Sequence, residues 1–77
     1  MKTVSIYTTS TCKYCGLAKD FFKQHGITYN EYNVGTDVEK RKEMVAKSGQ
    51  MGVPVITVDD EVIVGYDEPR LQELLIG

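Results

Sequence analysis

Apolar and polar positions alternate at the start of the chain and then change to a helical period. Val4, Ile6 and Thr8 interleave with Ser5, Tyr7 and Thr9, which predicts a strand over residues 3–8. Leu17, Ala18, Phe21 and Phe22 then recur at helical spacing and Gly26 follows His25 as a stop, so a helix is expected over roughly 13–25. Residues 27–34, Ile27 to Val34, alternate again with aromatic and β-branched side chains and break at Gly35. Thr36-Asp37-Val38-Glu39 has the form of a capping box, which predicts a second helix to about Lys47, burying Val38, Met44 and Val45 and ending at Gly49. Residues 53–58 and 61–64 are β-rich runs joined at Asp59-Asp60, a hairpin pattern. Asp67-Glu68-Pro69 supplies a cap, an acidic first turn and a proline that costs no helical donor, ahead of Leu71, Leu74 and Leu75 on one face.

The order is therefore βαβαββα. Strand, crossover helix and second strand form a parallel right-handed unit, and the hairpin adds antiparallel strands to the same sheet. Since every helix is amphipathic, both sheet faces can be covered. The expectation is an α/β protein, a four-stranded mixed sheet with three helices, in a single domain over residues 1–77.

Composition narrows the function. A chain of 77 residues, 42% hydrophobic and 26% charged, holds one core, which leaves no room for a second catalytic domain and is too apolar for disorder. The formal charge is −2, and no Lys/Arg cluster has interleaved aromatics, so nucleic acid is not an expected partner. Apolar runs are short and Met1-Lys2-Thr3-Val4-Ser5-Ile6 leads straight into a strand pattern, so neither a membrane segment nor a signal peptide is expected. A cytoplasmic monomer is the reading. Two cysteines this close together do not form the framework of a disulfide-stapled domain, and their role is more chemical than structural.

Cys12-Lys13-Tyr14-Cys15 falls where the first strand hands over to the first helix, with Thr11 available as the cap. Free amides, the helix dipole and the Lys13 ammonium all favour an anion at Cys12, so its thiol is expected to ionise more readily than a free cysteine. Cys15, one turn on and inside the helix, is expected to be less exposed. Cys12 attacks and Cys15 resolves, and the spacing closes a small disulfide loop with little movement. C-x-x-C can also form half of a zinc site, but four ligands are normal and His25 is the only other soft or imidazole candidate. An inert buried pair is the remaining use of the motif.

Together these landmarks resemble the glutaredoxins and the related NrdH-type redoxins of the thioredoxin superfamily, over nearly the whole chain. Ser5-Ile6-Tyr7-Thr8 before Cys12-Lys13-Tyr14-Cys15, then Val53-Pro54, then Gly65-Tyr66-Asp67, follow in the family's order. The resemblance implies a thioredoxin-like fold and a small dithiol thiol–disulfide oxidoreductase acting on protein or glutathione mixed disulfides. It implies catalysis by Cys12 and Cys15, and substrate contacts from Lys13, Tyr14, Val53, Pro54, Gly65, Tyr66 and Asp67. It also implies a cis Val53-Pro54 bond that sets the Val53 backbone beside the reactive sulfur, and proline is the residue at which cis bonds occur.

No permanently bound cofactor or metal is expected. The resemblance implies electrons from glutathione or from thioredoxin reductase. The family's lysine before the first cysteine is replaced by Thr9 and Ser10, its Thr-Val-Pro by Gly52-Val53-Pro54, the basic residue upstream by Gln50, and its Gly-Gly-x-Asp by Val64-Gly65-Tyr66-Asp67. The segment from Gly65 to Arg70 looks partly NrdH-like, and in that case thioredoxin reductase is the donor. The same fold could also serve as an iron–sulfur carrier, with a cluster bridged between two subunits, or as a non-enzymatic binding module.

Several residues have plainer readings. His25 suits the carbonyls of a helix C-terminus, and Tyr7, Tyr29 and Tyr32 read as half-buried strand packing. Asp59, Asp60 and Glu61 read as a solvated turn. Lys40, Arg41 and Lys47, interleaved with Glu39 and Glu43, read as an exposed, ion-paired helix face. Met51, just before Val53-Pro54, is a candidate for an apolar docking rim.

Overall fold

A computed structural model describes residues 3–76, so Met1 and Lys2 of the expected strand entry, and Gly77, lie outside the described residues. The elements are β1 (Val4–Thr8), α1 (Lys13–Gln24), β2 (Asn30–Asn33), α2 (Val38–Ser48), β3 (Val55–Val58), β4 (Glu61–Val64) and α3 (Glu68–Leu75). This is the order the periodicities predict. One mixed sheet runs β2-β1-β3-β4, with β1 parallel to β2 and antiparallel to β3, and β3 antiparallel to β4.

The pleat sends alternate residues to opposite faces, and the two faces are covered differently. Val4 and Ile6 of β1, Ile56 and Val58 of β3 and Ile63 of β4 pack with Ala18, Phe21 and Phe22 of α1 and Leu71 of α3. On the other face Tyr7 and Val55 pack with Val34 and with Met44 of α2. Among the described residues no helix is long and apolar enough to cross a membrane.

Local chemistry moves several boundaries. β2 is four residues long, not eight, because the Ile27 N–H still closes the end of α1 on the Phe22 carbonyl at 2.8 Å. Ile27 and Tyr29 instead pack under the core before the ladder begins. The cap of α2 is Asp37, whose Oδ1 accepts the Lys40 N–H at 3.1 Å, while the Thr36 hydroxyl turns back to the Asn33 carbonyl. The cap is thus displaced by one residue, since the aspartate carboxylate is the stronger acceptor for a helix-end amide, and with Lys40 at the third helical position no reciprocal capping box closes. Val38, expected to be buried, is half exposed at the first position of α2, whereas Met44 is fully buried. At the far end of α2, Gly49 takes φ 76°, the left-handed cap conformation that glycine adopts without strain. Leu17 is 40% exposed, pointing away from the core that Ala18, Phe21 and Phe22 fill.

Candidate functional site

Strand direction gathers the site at one end of the sheet. β1 ends at Thr8, and Tyr7 lies opposite Val55, so the antiparallel β3 begins, with Pro54 just before it, where β1 finishes. Val55 lies opposite Val64, which brings Gly65, Tyr66 and Asp67 to the same end. The parallel β2 also finishes there, tied by the Val34 N–H to the Thr8 carbonyl at 2.8 Å. Loops remote in sequence therefore converge on the start of α1.

The Cys12 N–H closes a turn on the Thr9 carbonyl at 3.3 Å, and Cys12 itself caps α1 with extended backbone angles. Its Sγ accepts the Cys15 N–H at 3.1 Å. Thr11 is therefore not the cap, because the sulfur of the next residue already reaches the helix-end amide. Cys12 and Cys15 are disulfide-bonded with Cα atoms 5.2 Å apart; Cys12 is partly exposed and Cys15 is buried at 1% exposure. Lys13 and Tyr14 project to solvent, and Lys13 has no ion pair among the described residues.

Pro54 is buried, the Val53–Pro54 peptide is cis, and the Pro54 carbonyl accepts the Gly65 N–H at 2.8 Å. Gly65 makes this close approach with φ 84°, a conformation a β-carbon would strain. Two predicted contact residues are committed elsewhere. The Tyr66 ring packs on the α1/α3 core and its hydroxyl donates to Glu68 at 3.3 Å. Burial, with Glu68 nearby, raises its pKa. The Asp67 carboxylate caps α3 by accepting the Arg70 N–H at 3.3 Å.

Below the cysteine loop, the buried Thr8 hydroxyl donates to Glu31 Oε2 at 3.0 Å, and Lys19 Nζ reaches the same oxygen at 3.0 Å. The Lys19 hydrogen bond holds the Glu31 carboxyl below the usual carboxylate range. This cluster ties β1, β2 and α1 around the loop that carries Cys12. Sequence reading missed it, because a threonine in a strand and a glutamate on an edge strand carry no periodic mark.

Other expectations change with packing. Tyr7 is fully buried, and its hydroxyl donates to Glu43 Oε2 at 3.1 Å. Burial first, then Glu43, pushes its pKa to about 12. Lys40 and Glu43 are not a purely solvated face: Glu43 serves Tyr7, Lys40 and Lys47, and Lys40 Nζ lies 4.2 Å from the Tyr32 ring centre. Asp59 is more than a solvated turn, since its Oδ1 accepts the Thr3 N–H at 2.8 Å. His25 caps α1 with its ring on Phe21, at 4.5 Å between centroids. Met51 is 66% exposed and borders a groove with Arg41, Lys42, Val45 and Ala46 of α2.

Residues 4–63 match the family model described as glutaredoxin. An uncharacterised glutaredoxin-like 8.6 kDa protein in a rubredoxin operon of Clostridium pasteurianum is 38% identical, covering 94% of this chain and 96% of that protein. Glutaredoxin 3 of Escherichia coli K12 is also 38% identical, over 88% of this chain and 82% of its own. The glutaredoxin-like protein NrdH of Lactococcus lactis is 32% identical over 92% and 97%. The crystal structure of a glutaredoxin from Archaeoglobus fulgidus superposes with a TM-score of 0.89 at 28% identity, covering all of this chain and 89% of that one.

Proposed function

This chain belongs to the glutaredoxin family, and on that premise we propose that it reduces disulfides through a Cys12/Cys15 dithiol, with Cys12 as nucleophile. The observation that carries the assignment is the cap: Cys12 Sγ accepts the Cys15 amide at the head of α1, whereas Cys15 is buried. In the reduced protein this amide and the helix dipole stabilise a thiolate on Cys12.

The Cys12 thiolate attacks one sulfur of the substrate disulfide, forming a mixed disulfide and expelling the other sulfur as a thiolate that takes up a proton. Cys15 loses its proton and attacks Cys12 Sγ, releasing the second substrate thiol and closing the Cys12–Cys15 disulfide. Two electrons and two protons pass to the substrate, and an external donor restores the dithiol. Tyr14, Val53, Pro54 and Gly65 border the sulfur in this reading, and Lys13 adds positive charge. Tyr66 and Asp67 contribute by shaping the loop between β4 and α3. A monomer in the cytoplasm, where thiols are kept reduced, suits a pair that must be re-reduced.

Alkylation rate against pH tests the assignment. Cys12 should react as a thiol ionising below the ordinary value of about 8.5, and ahead of Cys15. Cys12→Ser should abolish disulfide reduction, whereas Cys15→Ser should accumulate mixed disulfides with protein substrates. Faster alkylation of Cys15 at neutral pH would reverse the roles.

A second reading, an NrdH-type electron donor reduced by thioredoxin reductase, is favoured by the surface beside the sulfur. Thr9 and Ser10 supply no cation, and the Gln50 amide is engaged by its own loop, so a carboxylate of glutathione lacks its usual counter-charge. Offering the oxidised protein glutathione with its reductase, and separately thioredoxin reductase, decides the donor; turnover by glutathione alone would reject this second reading.

A further inference from the structure

The loop that leads into Pro54 is closed on itself by the Gln50 side chain. Gln50 Oε1 accepts the Gly52 N–H at 2.9 Å, and Gln50 Nε2 donates to the Gly52 carbonyl at 3.2 Å. The base of the loop is anchored to the end of α2. Ser48 Oγ lies 2.7 Å from the Met44 carbonyl and 2.9 Å from that of Gln50, and it accepts the Gln50 N–H at 3.3 Å. Residue 52 has to be small for this arrangement, since a β-carbon there would sit 2.7 Å from Gln50 Oε1.

The clamp has a directional consequence. The Gly52 carbonyl and the Val53 N–H belong to one planar peptide unit, and cis geometry is confined to the following Val53–Pro54 bond. In a trans unit the C=O and N–H point in opposite directions. Holding the Gly52 carbonyl against Gln50 Nε2 therefore turns the Val53 N–H away from Gln50. Neither the Val53 N–H nor its carbonyl has a hydrogen-bond partner among the described residues, although Val53 is partly buried. A backbone pair in that condition calls for an external partner, and an extended peptide chain offers both a matching carbonyl and a matching N–H.

We infer that Gln50 is a positioning residue that, through Gly52, aims the Val53 N–H at the backbone of a peptide disulfide docking beside Cys12. The inference rests on the proposed dithiol reading and names the part of that site that recognises peptide backbone. Gln50 touches neither sulfur nor substrate. Its effect belongs to substrates that possess a backbone and is absent for those that do not.

The experiment uses pre-reduced protein in single turnovers, so that no reductase enters, with two substrates at varied concentration. One is an extended hexapeptide whose cysteine carries a mixed disulfide with 2-mercaptoethanol; the other is bis(2-hydroxyethyl) disulfide, which has no peptide group. Gln50→Ala should raise the half-saturating concentration of the peptide about fivefold, the size expected for a net hydrogen bond of about 1 kcal/mol, and leave its maximal rate and both constants for the small disulfide unchanged. Gln50→Glu keeps an acceptor for the Gly52 N–H but has no donor for the Gly52 carbonyl, so it should behave like Gln50→Ala. Gly52→Ala should reproduce the defect, and the double variant should be no worse than either single one. Amide exchange at Gly52, whose N–H the Gln50 side chain accepts, should accelerate in Gln50→Ala, with the melting temperature held close to that of the parent. Unchanged peptide half-saturation in Gln50→Ala, or an equal loss on both substrates, would overturn the inference while leaving the dithiol reading intact. Failure of the parent protein to reduce either disulfide would bring down both.

Discussion

The two faces of the sheet solve the same packing problem with different means. Beneath α1 and α3, nine buried apolar residues from three strands and two helices close a continuous core. Beneath α2 the buried cluster has four members, and one of them, Tyr7, brings a hydroxyl that must be satisfied. Glu43 satisfies it from the helix, Lys40 covers the Tyr32 ring and pairs with Glu43, and the Tyr7 and Tyr32 rings pack at a tilt with centroids 5.4 Å apart. A face covered by one helix has too little apolar surface to exclude water everywhere, so charged side chains complete the lid. The loop carrying Met51, Gly52 and Val53 hangs from the end of this thinner layer. The first face is closed by apolar packing, and on the second a larger share of the cover is charged.

The comparison breaks most visibly at Phe22, fully buried in the larger core. Phe22→Ala should cost about 3–5 kcal/mol in denaturant unfolding, enough to unfold much of a protein this small. Met44→Ala, in the thinner layer, should fall toward the lower end of about 2–5 kcal/mol. A larger loss for Met44 than for Phe22 would reverse the ranking of the faces.

Tyr7→Phe keeps the ring and removes the bond to Glu43, at an expected cost of about 0.5–1.5 kcal/mol. Its pH dependence is the sharper signature. With the folded-state pKa near 12 against an ordinary 10.0, the native protein holds this proton more tightly than the unfolded chain does. That contribution is complete below pH 10 and is lost as pH rises toward 12. Stability curves for the parent and Tyr7→Phe should therefore converge over that interval, and parallel curves would remove Tyr7 as the cause.

The smallest effects come from the carboxylates that staple helices to the sheet. Glu31 is lowered chiefly by its hydrogen bond with Lys19, and Glu43 chiefly by its hydrogen bond with Lys40. A depressed carboxylate stabilises the fold above its unfolded pKa, and the contribution is lost as pH falls through the folded value. Glu31→Gln and Glu43→Gln should each flatten acid unfolding by less than about 1 kcal/mol, because both pairs are partly exposed and screened. Added salt should shrink both effects. Salt-independent losses would point to packing by the glutamate stems instead.

Much of this architecture was readable along the chain because periodicity is a local property. Alternation at Val4–Thr8, helical spacing from Leu17 to Phe22 and the turn at Asp59-Asp60 each depend on neighbours a few residues apart. The cysteine pair was legible for the same reason, since strand, turn and helix start follow one another in sequence. Errors fell where two local signals competed or where burial depended on a distant element. Thr36 and Asp37 are both good caps, and only the path of the chain after Asn33 selects Asp37. Val38 is apolar and correctly spaced, yet α2 alone covers its face and leaves it half exposed. The Gln50–Gly52 clamp has no period at all, being a side chain closing on backbone two residues away.

What the sequence determined by itself is the element order and the placement of the first cysteine of the pair at a helix start, because backbone preference and side-chain period act within one or two turns. What only the tertiary structure decided is which loops meet. The antiparallel register of Tyr7 with Val55 sets Pro54 beside the end of β1, and the register of Val55 with Val64 brings in Gly65. The first of these pairings joins residues far apart in the chain and carries the second to the cysteine loop. Such a sheet forms only when both of its faces are buried at once, a condition that no single stretch of the chain contains.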